Sequence, residues 1–153
     1  HYHKEKTSQH ENVLVTSFVE NIRNYLRNIH PFANLDFELI FYNYLKINSD
    51  PSLEHGLINI IENAIKASKQ TVLVKIDSET KSLLTVYIKD DGPGIPLEIL
   101  EGVGEPFLTM RSGGMGLGLF LANASIQRLG GTIKMENMRE GGAMTTISLP
   151  LAS

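Results

Sequence analysis

The chain has 153 residues, is 42% hydrophobic and carries a formal net charge of −3, which allows one domain with a real core. It contains no cysteine, so disulfides, thiolate zinc sites and cysteine nucleophiles are excluded, and the mildly acidic balance argues against a nucleic-acid-binding surface. No stretch approaches the roughly 18 apolar residues of a membrane span, and no secretory signal pattern opens the sequence.

The opening "HYHKEKTSQHEN" is polar and reads as frayed. From Val13 to Ile29 the residues Leu14, Phe18, Ile22, Leu26 and Ile29 fall three or four apart, which predicts an amphipathic helix. His30-Pro31 ends it, because the residue before proline avoids the helical region. "DFELIFYNYLKINS" is rich in aromatic and β-branched residues and predicts one or two strands. In "SDPSLEHGLINIIENAIKAS" Asp50 or Ser49 can cap a helix whose first turn accepts Pro51. Leu53, Leu57, Ile60, Ile61, Ala64 and Ile65 form its apolar face. "TVLVKID" and "LLTVYIKD" predict strands joined by the polar turn "SETKS". A turn at "DGPGIP" leads to a short helix from Pro96, then a loop over Gly102 to Gly114. A helix over Leu117 to Leu129 is stopped by Gly130-Gly131. "TIKMEN" and "AMTTISLPL" close the chain as a hairpin around "MREGG". Hairpin-paired strands interrupted by helices predict a two-layer α/β sandwich: a mixed, mostly antiparallel sheet with helices on one face. A doubly wound parallel sheet would need stricter alternation.

Three short elements carry chemistry. Asn59, Asn63 and Lys66 are spaced four and three apart on the second helix and share a side of it. Amide oxygens are neutral hard ligands suited to Mg²⁺ when a polyphosphate supplies the other donors, and a lysine one turn on can reach phosphate. A solvated polar face would give the same pattern. In "KDDGPGIP" a strand ends in Asp90, whose carboxylate can accept from an exocyclic amine such as that of adenine. Gly92 and Gly94 would let a flat base lie against the backbone, although D-G-P-G is also ordinary turn chemistry. Finally, "GGMGLGLFLA" places glycines directly ahead of a helix, where unpaired amides and the positive helix end favour phosphate. It is neither a Walker phosphate loop, since no lysine follows, nor a dinucleotide fingerprint, since the segment follows a loop. A hinge is the alternative, and the apolar Met115, Leu117 and Leu119 between the glycines speak against it.

In this order, "NIIENAIKAS", "DDGPGIP", "GEPFLTMRSGGMGLGLFLA" and "GGAMTTISLP" resemble the N, G1, F and G2 boxes and the last strand of the ATP-binding domain of sensor histidine kinases, from about Phe37 to Pro150. The compact third segment is similar to the short-lid kinases that include the RegB/PrrB type. The resemblance implies the Bergerat (GHKL) fold, with ATP held between the helix layer and a lid. It implies that Asn63 holds Mg²⁺, Asn59 lies near the nucleotide, Lys66 reaches the phosphates and Asp90 bonds the adenine amino group. It further implies that Gly92, Gly94 and Ile95 shape the base pocket, Phe107 anchors the lid and Arg111 touches the γ-phosphate. Gly114, Gly116, Leu117, Gly118 and Leu119 would wrap the triphosphate.

Two departures stand out. Many members carry threonine after the last Gly-Gly; here Ala143-Met144 precede Thr145 and Thr146, and no adenine-contacting threonine is assigned. His10-Glu11 begins like the phospho-acceptor box but lacks its proline, so the acceptor histidine is expected outside this chain. Residues 1–30 are then expected as a polar terminus and the end of the dimerisation-hairpin helix, and 31–153 as the catalytic domain. The expected activity is histidine kinase, with transfer onward to a response-regulator aspartate, in the cytoplasm and without membrane contact by this segment. An anti-sigma-type serine kinase or a catalytically silent GHKL module are the alternatives. A gyrase-, Hsp90- or MutL-like ATPase would need a glutamate where Asn59 stands, and Glu62, adjacent to Asn63, points elsewhere on the helix.

Overall fold

The structure is a computed structural model and describes residues 11–78, 80, 82–101 and 115–152, without the side chains of 115–118. The described elements run β1 (Glu11–Leu14), α1 (Val15–Ile29), β2 (Leu35–Ile40), β3 (Lys46–Ser49), α2 (Pro51–Ala67), β4 (Val72–Asp77), β5 (Leu83–Asp90), α3 (Leu97–Glu101), α4 (Met115–Arg128), β6 (Thr132–Asn137) and β7 (Ala143–Pro150). One sheet has the order β2-β4-β5-β7-β6; β2 and β4 are parallel and the other pairs antiparallel. β1 and β3 form a separate antiparallel ribbon.

Period-two burial in β4, β5 and β7 turns one sheet face toward the helices. Val74 and Ile76 of β4 and Val86 of β5 surround one small internal space with Phe18 and Ile22 of α1 and Leu57 and Ile61 of α2. Leu26, Ile47, Leu53, Leu84, Ile126 and Ile147 are fully buried. Each such side chain contributes roughly 1.5–3 kcal/mol relative to exposure, so the α1 and α2 stripes hold the helix layer on the sheet. Gly56 lets α2 and α4 approach closely: an added Cβ would lie 2.8 Å from Cα and Cβ of Ala122. The Asp50 carboxylate caps α2 by accepting from the Leu53 N–H at 2.7 Å and from Arg128 of α4 at 2.8 Å. One capping side chain thus also ties the two helices that flank the cleft described below.

Two expectations change. The first helix begins at Val15, two residues later than its periodicity predicts, because Glu11–Leu14 pair with β3 in register Glu11↔Ser49 to Leu14↔Lys46. The Val15 N–H donates to Leu45 O at 2.9 Å, which anchors the helix start. The buried stripe is accordingly Val15, Phe18, Val19, Ile22 and Leu26, while Leu14 and Ile29 are exposed. Second, "DFELIFYNYLKINS" divides between two sheets. β2 forms an edge of the main sheet, and β3 leaves it to pair with β1 and bridge Leu151 through Ile47. α1 thereby packs in the same core as α2.

Candidate functional site

α2 presents two different sides. Ile60, Asn63, Ala64 and Ala67 face an open cleft. The inward positions of two adjacent strands, Ile88 and Asp90 of β5 and Ala143 and Thr145 of β7, form its floor. Met135, Leu119, Ile99 and the turn residues Gly94 and Ile95 close it. Aliphatic walls with a few polar atoms suit a flat, largely apolar ring bearing a polar substituent.

Asp90 is 8% exposed, and its Oδ1 accepts from the Gly92 N–H at 2.8 Å, which folds the turn back over the strand end. The turn is tightly held. A Cβ on Gly92 would approach Ala67 O to 2.3 Å, and Gly94 has φ +98°. The next strand pair presses from the other side: Gly142 has φ +88°, and a Cβ there would fall 2.0 Å from Asp90 O. Both strand ends therefore need glycine so that backbone can touch backbone.

Asp91 points the other way. Its carboxylate accepts from the backbone N–H groups of Lys69 at 2.7 Å, Gln70 at 3.0 Å and Thr71 at 3.2 Å, stapling the end of α2 to the end of β5. Desolvation alone would raise its carboxyl, but the N–H donors of Gln70, Lys69 and Thr71 together outweigh that and hold it below its ordinary 3.8. A lowered folded-state value means this group adds stability above the unfolded value, and that stability is lost as pH falls through the folded one. Asp91→Asn is expected to be less stable than the parent at pH 7, with the gap closing once the pH drops below 3.8. Urea midpoints of both proteins across that range check it; a gap that stays constant in acid would remove the staple.

Of the residues expected from sequence, Asn63, Asp90, Gly94, Ile95 and Leu119 line the cleft. Gly92 is buried behind it in the turn. Asn59 lies on a separate polar groove between α1 and α2, with Asn21, Tyr25, His55 and Glu62. Lys66 is exposed on the last turn of α2. Gly116, Leu117 and Gly118 lie in the first turn of α4, while Phe107, Arg111 and Gly114 fall outside the described residues. Glu62 bonds His30 at 2.8 Å and does not line the cleft.

Sequence reasoning missed three residues. Thr145 is 5% exposed and lines the cleft; the β7 alternation that buries Ala143 and Ile147 could have signalled it. Gly142 read as a hairpin glycine without its contact on Asp90. Asn137 bonds the turn from β6, a long-range pairing with no local signature.

Residues 48–153 match the family described as histidine kinase-, DNA gyrase B-, and HSP90-like ATPases. Among curated relatives, sporulation kinase A of Bacillus subtilis is 36% identical over 124 residues, spanning 77% of this chain and 20% of that protein. The sensor histidine kinase RegB of Cereibacter sphaeroides is 36% identical over 99 residues, 57% of this chain and 21% of that protein. The chain thus spans about a fifth of the length of these relatives. The mycobacterial sensor histidine kinase MprB has a similar fold, with TM-score 0.75 and 26% identity over 93% of this chain and 97% of that one. The catalytic domain of histidine kinase ThkA superimposes with TM-score 0.78 over 93% and 97% of the two chains at 24% identity, a likeness of fold.

Proposed function

Because the chain belongs to the family of histidine kinase-, DNA gyrase B- and HSP90-like ATPases, we propose that it is the ATP-binding catalytic domain of a sensor histidine kinase. The observation that carries this reading is the convergence of Asn63 and Asp90, from a helix and a strand remote in sequence, on one apolar cleft. Asp90 offers a carboxylate acceptor to the adenine amino group, and Gly94 and Ile95 give the ring a wall. Asn63 brings an amide oxygen for Mg²⁺. Among the described residues no group of three or more His, Cys, Asp or Glu could hold a metal, so a cation at Asn63 would take most of its donors from phosphate and water. Asn59 and Lys66, one turn to either side of Asn63, stand nearer the phosphates than the base in this reading. The backbone N–H groups of the first turn of α4, through Leu117, favour anionic oxygen because they lack helical partners. Arg111, Phe107 and Gly114 complete the lid by resemblance.

Bound Mg-ATP would supply an activated γ-phosphoryl group, which transfers to an imidazole nitrogen of a histidine outside this chain and leaves ADP. The residues here contribute position and charge compensation, which is most of what phosphoryl transfer requires. The acceptor would sit on a helical hairpin of the parent kinase, and an aspartate of a response-regulator receiver domain would receive the group next, in the cytoplasm. The pairing of Glu62 with His30, away from the cleft, supports transfer to such an acceptor over water activation.

The test is transfer in trans. This chain, a separately made histidine hairpin of the parent kinase and Mg-ATP are expected to yield acid-labile phosphate on the hairpin. Asn63→Ala is expected to lower that rate at least tenfold while ATP binding in EDTA is retained, one lost ligand or hydrogen bond to a charged group being worth about 1.5–3 kcal/mol. Absence of acid-labile phosphate with the parent hairpin, despite ATP binding, would favour a regulatory module.

A further inference from the structure

Asn137 is the last residue of the edge strand β6 and is itself exposed, yet its side chain makes two hydrogen bonds to a single distant residue. Its Oδ1 accepts from the Ile95 N–H at 2.7 Å, and its Nδ2 donates to Ile95 O at 3.1 Å. One amide therefore satisfies both main-chain groups of Ile95, as a neighbouring strand would. This pairing extends the sheet edge by one side chain where the backbone of β6 stops. The held segment is the wall of the cleft. Ile95 is 8% exposed and lines it, as does Gly94, whose backbone lies so close to Asn137 that an added Cβ would meet Oδ1 at 2.8 Å.

We propose that Asn137 is a positioning residue for the nucleotide: by clamping Ile95 at both backbone groups it sets the distance between the 92–95 turn and Asp90, and so the width of the base slot. Among the described residues the wall has few other ties. The Gly92–Asp90 bond fixes one end of the turn, and packing of Ile95 and Ile99 fixes the other. Without Asn137 the Ile95 amide and carbonyl can turn to water, and the slot loses its set width without loss of the core. The inference rests on the ATP-binding reading above.

Calorimetric ATP affinity of the parent, Asn137→Ala and Asn137→Asp, followed from pH 7 toward about 4, tests it. Asn137→Ala is expected to bind ATP about tenfold more weakly, because a turn freed of its two hydrogen bonds must be ordered again on binding, while the domain stays folded because its core is untouched. At pH 7 the ionised Asn137→Asp side chain can still accept from the Ile95 N–H but cannot donate to Ile95 O, so binding is equally weak. Protonation restores a donor, and the ratio of its affinity to the parent's should rise as the pH falls. Using that ratio cancels titration of Asp90 and Asp91, the carboxylates beside the same turn. Hydrogen exchange at the Ile95 amide should be slow in the parent and fast in Asn137→Ala. Parent-like binding by both variants, or a ratio that ignores pH, overturns the clamp alone. A parent that binds no ATP counts against the function proposed above and takes the clamp with it.

Discussion

Asp90→Asn is expected to weaken ATP binding roughly ten- to a hundredfold while the domain stays folded, since a hydrogen bond to a charged acceptor is worth about 1.5–3 kcal/mol. The fold should survive because the substitution is isosteric and the asparagine oxygen can still accept from the Gly92 N–H, the bond that now closes the turn at 2.8 Å. What changes is the other carboxylate oxygen, which becomes an NH₂ donor. It would then face the amino group of adenine donor to donor, beside the apolar side chains of Ile88, Ile95 and Ala143. The same reasoning gives a sharper readout. A 6-oxo purine presents an acceptor where adenine presents a donor, so Asp90→Asn should bind inosine triphosphate relatively better than the parent does. Titrating ATP and inosine triphosphate into both proteins measures the exchange. Equal selectivity in the two would falsify the assignment of Asp90 to the base.

The second large effect is expected at Gly142. A Cβ there would come 2.0 Å from Asp90 O and 3.1 Å from Cα of Asp91, both backbone atoms that cannot rotate away. The residue also has φ +88°, a conformation that costs an L side chain about 1–2 kcal/mol. Overpacking adds about 1–3 kcal/mol, so Gly142→Ala should lose roughly 2–5 kcal/mol, a large part of a typical domain's stability. Gly141 is an internal control: its φ is +105°, but nothing lies within 4 Å of an added Cβ. Gly141→Ala should therefore show the conformational cost alone. Urea denaturation separates the two variants, and ATP titration of whatever remains folded at low temperature should find Gly142→Ala weakened as well, because relieving the overlap displaces the Asp90 main chain. If the two alanine variants are equally stable, the close contact between the strand ends is not there.

The sequence was most legible where local physics dominates. The α2 cap at Asp50, its apolar stripe and the period-two strands β4 to β7 follow from patterns within a few residues, and the structure places them within a residue or two of expectation. The α1 start was misread because Val13 and Leu14 continue a helical stripe equally well, and only the pairing of Glu11–Leu14 with β3 makes them strand. Helical spacing put Asn59 and Asn63 on one side of α2, but the packing of α1 turns Asn59 toward the polar groove while Asn63 meets the cleft. Spacing defines an angle around a helix; the neighbours decide where the boundary between two cavities falls.

Taken alone, the chain's order of residues determined most of its elements, its layer architecture and the family resemblance, because capping, periodicity and glycine punctuation act over short spans. Tertiary structure alone decided that Gly142 rests on Asp90 and that Asn137 grips Ile95. Each is a contact between segments far apart in the chain, and no local pattern encodes a distance that only the assembled sheet creates.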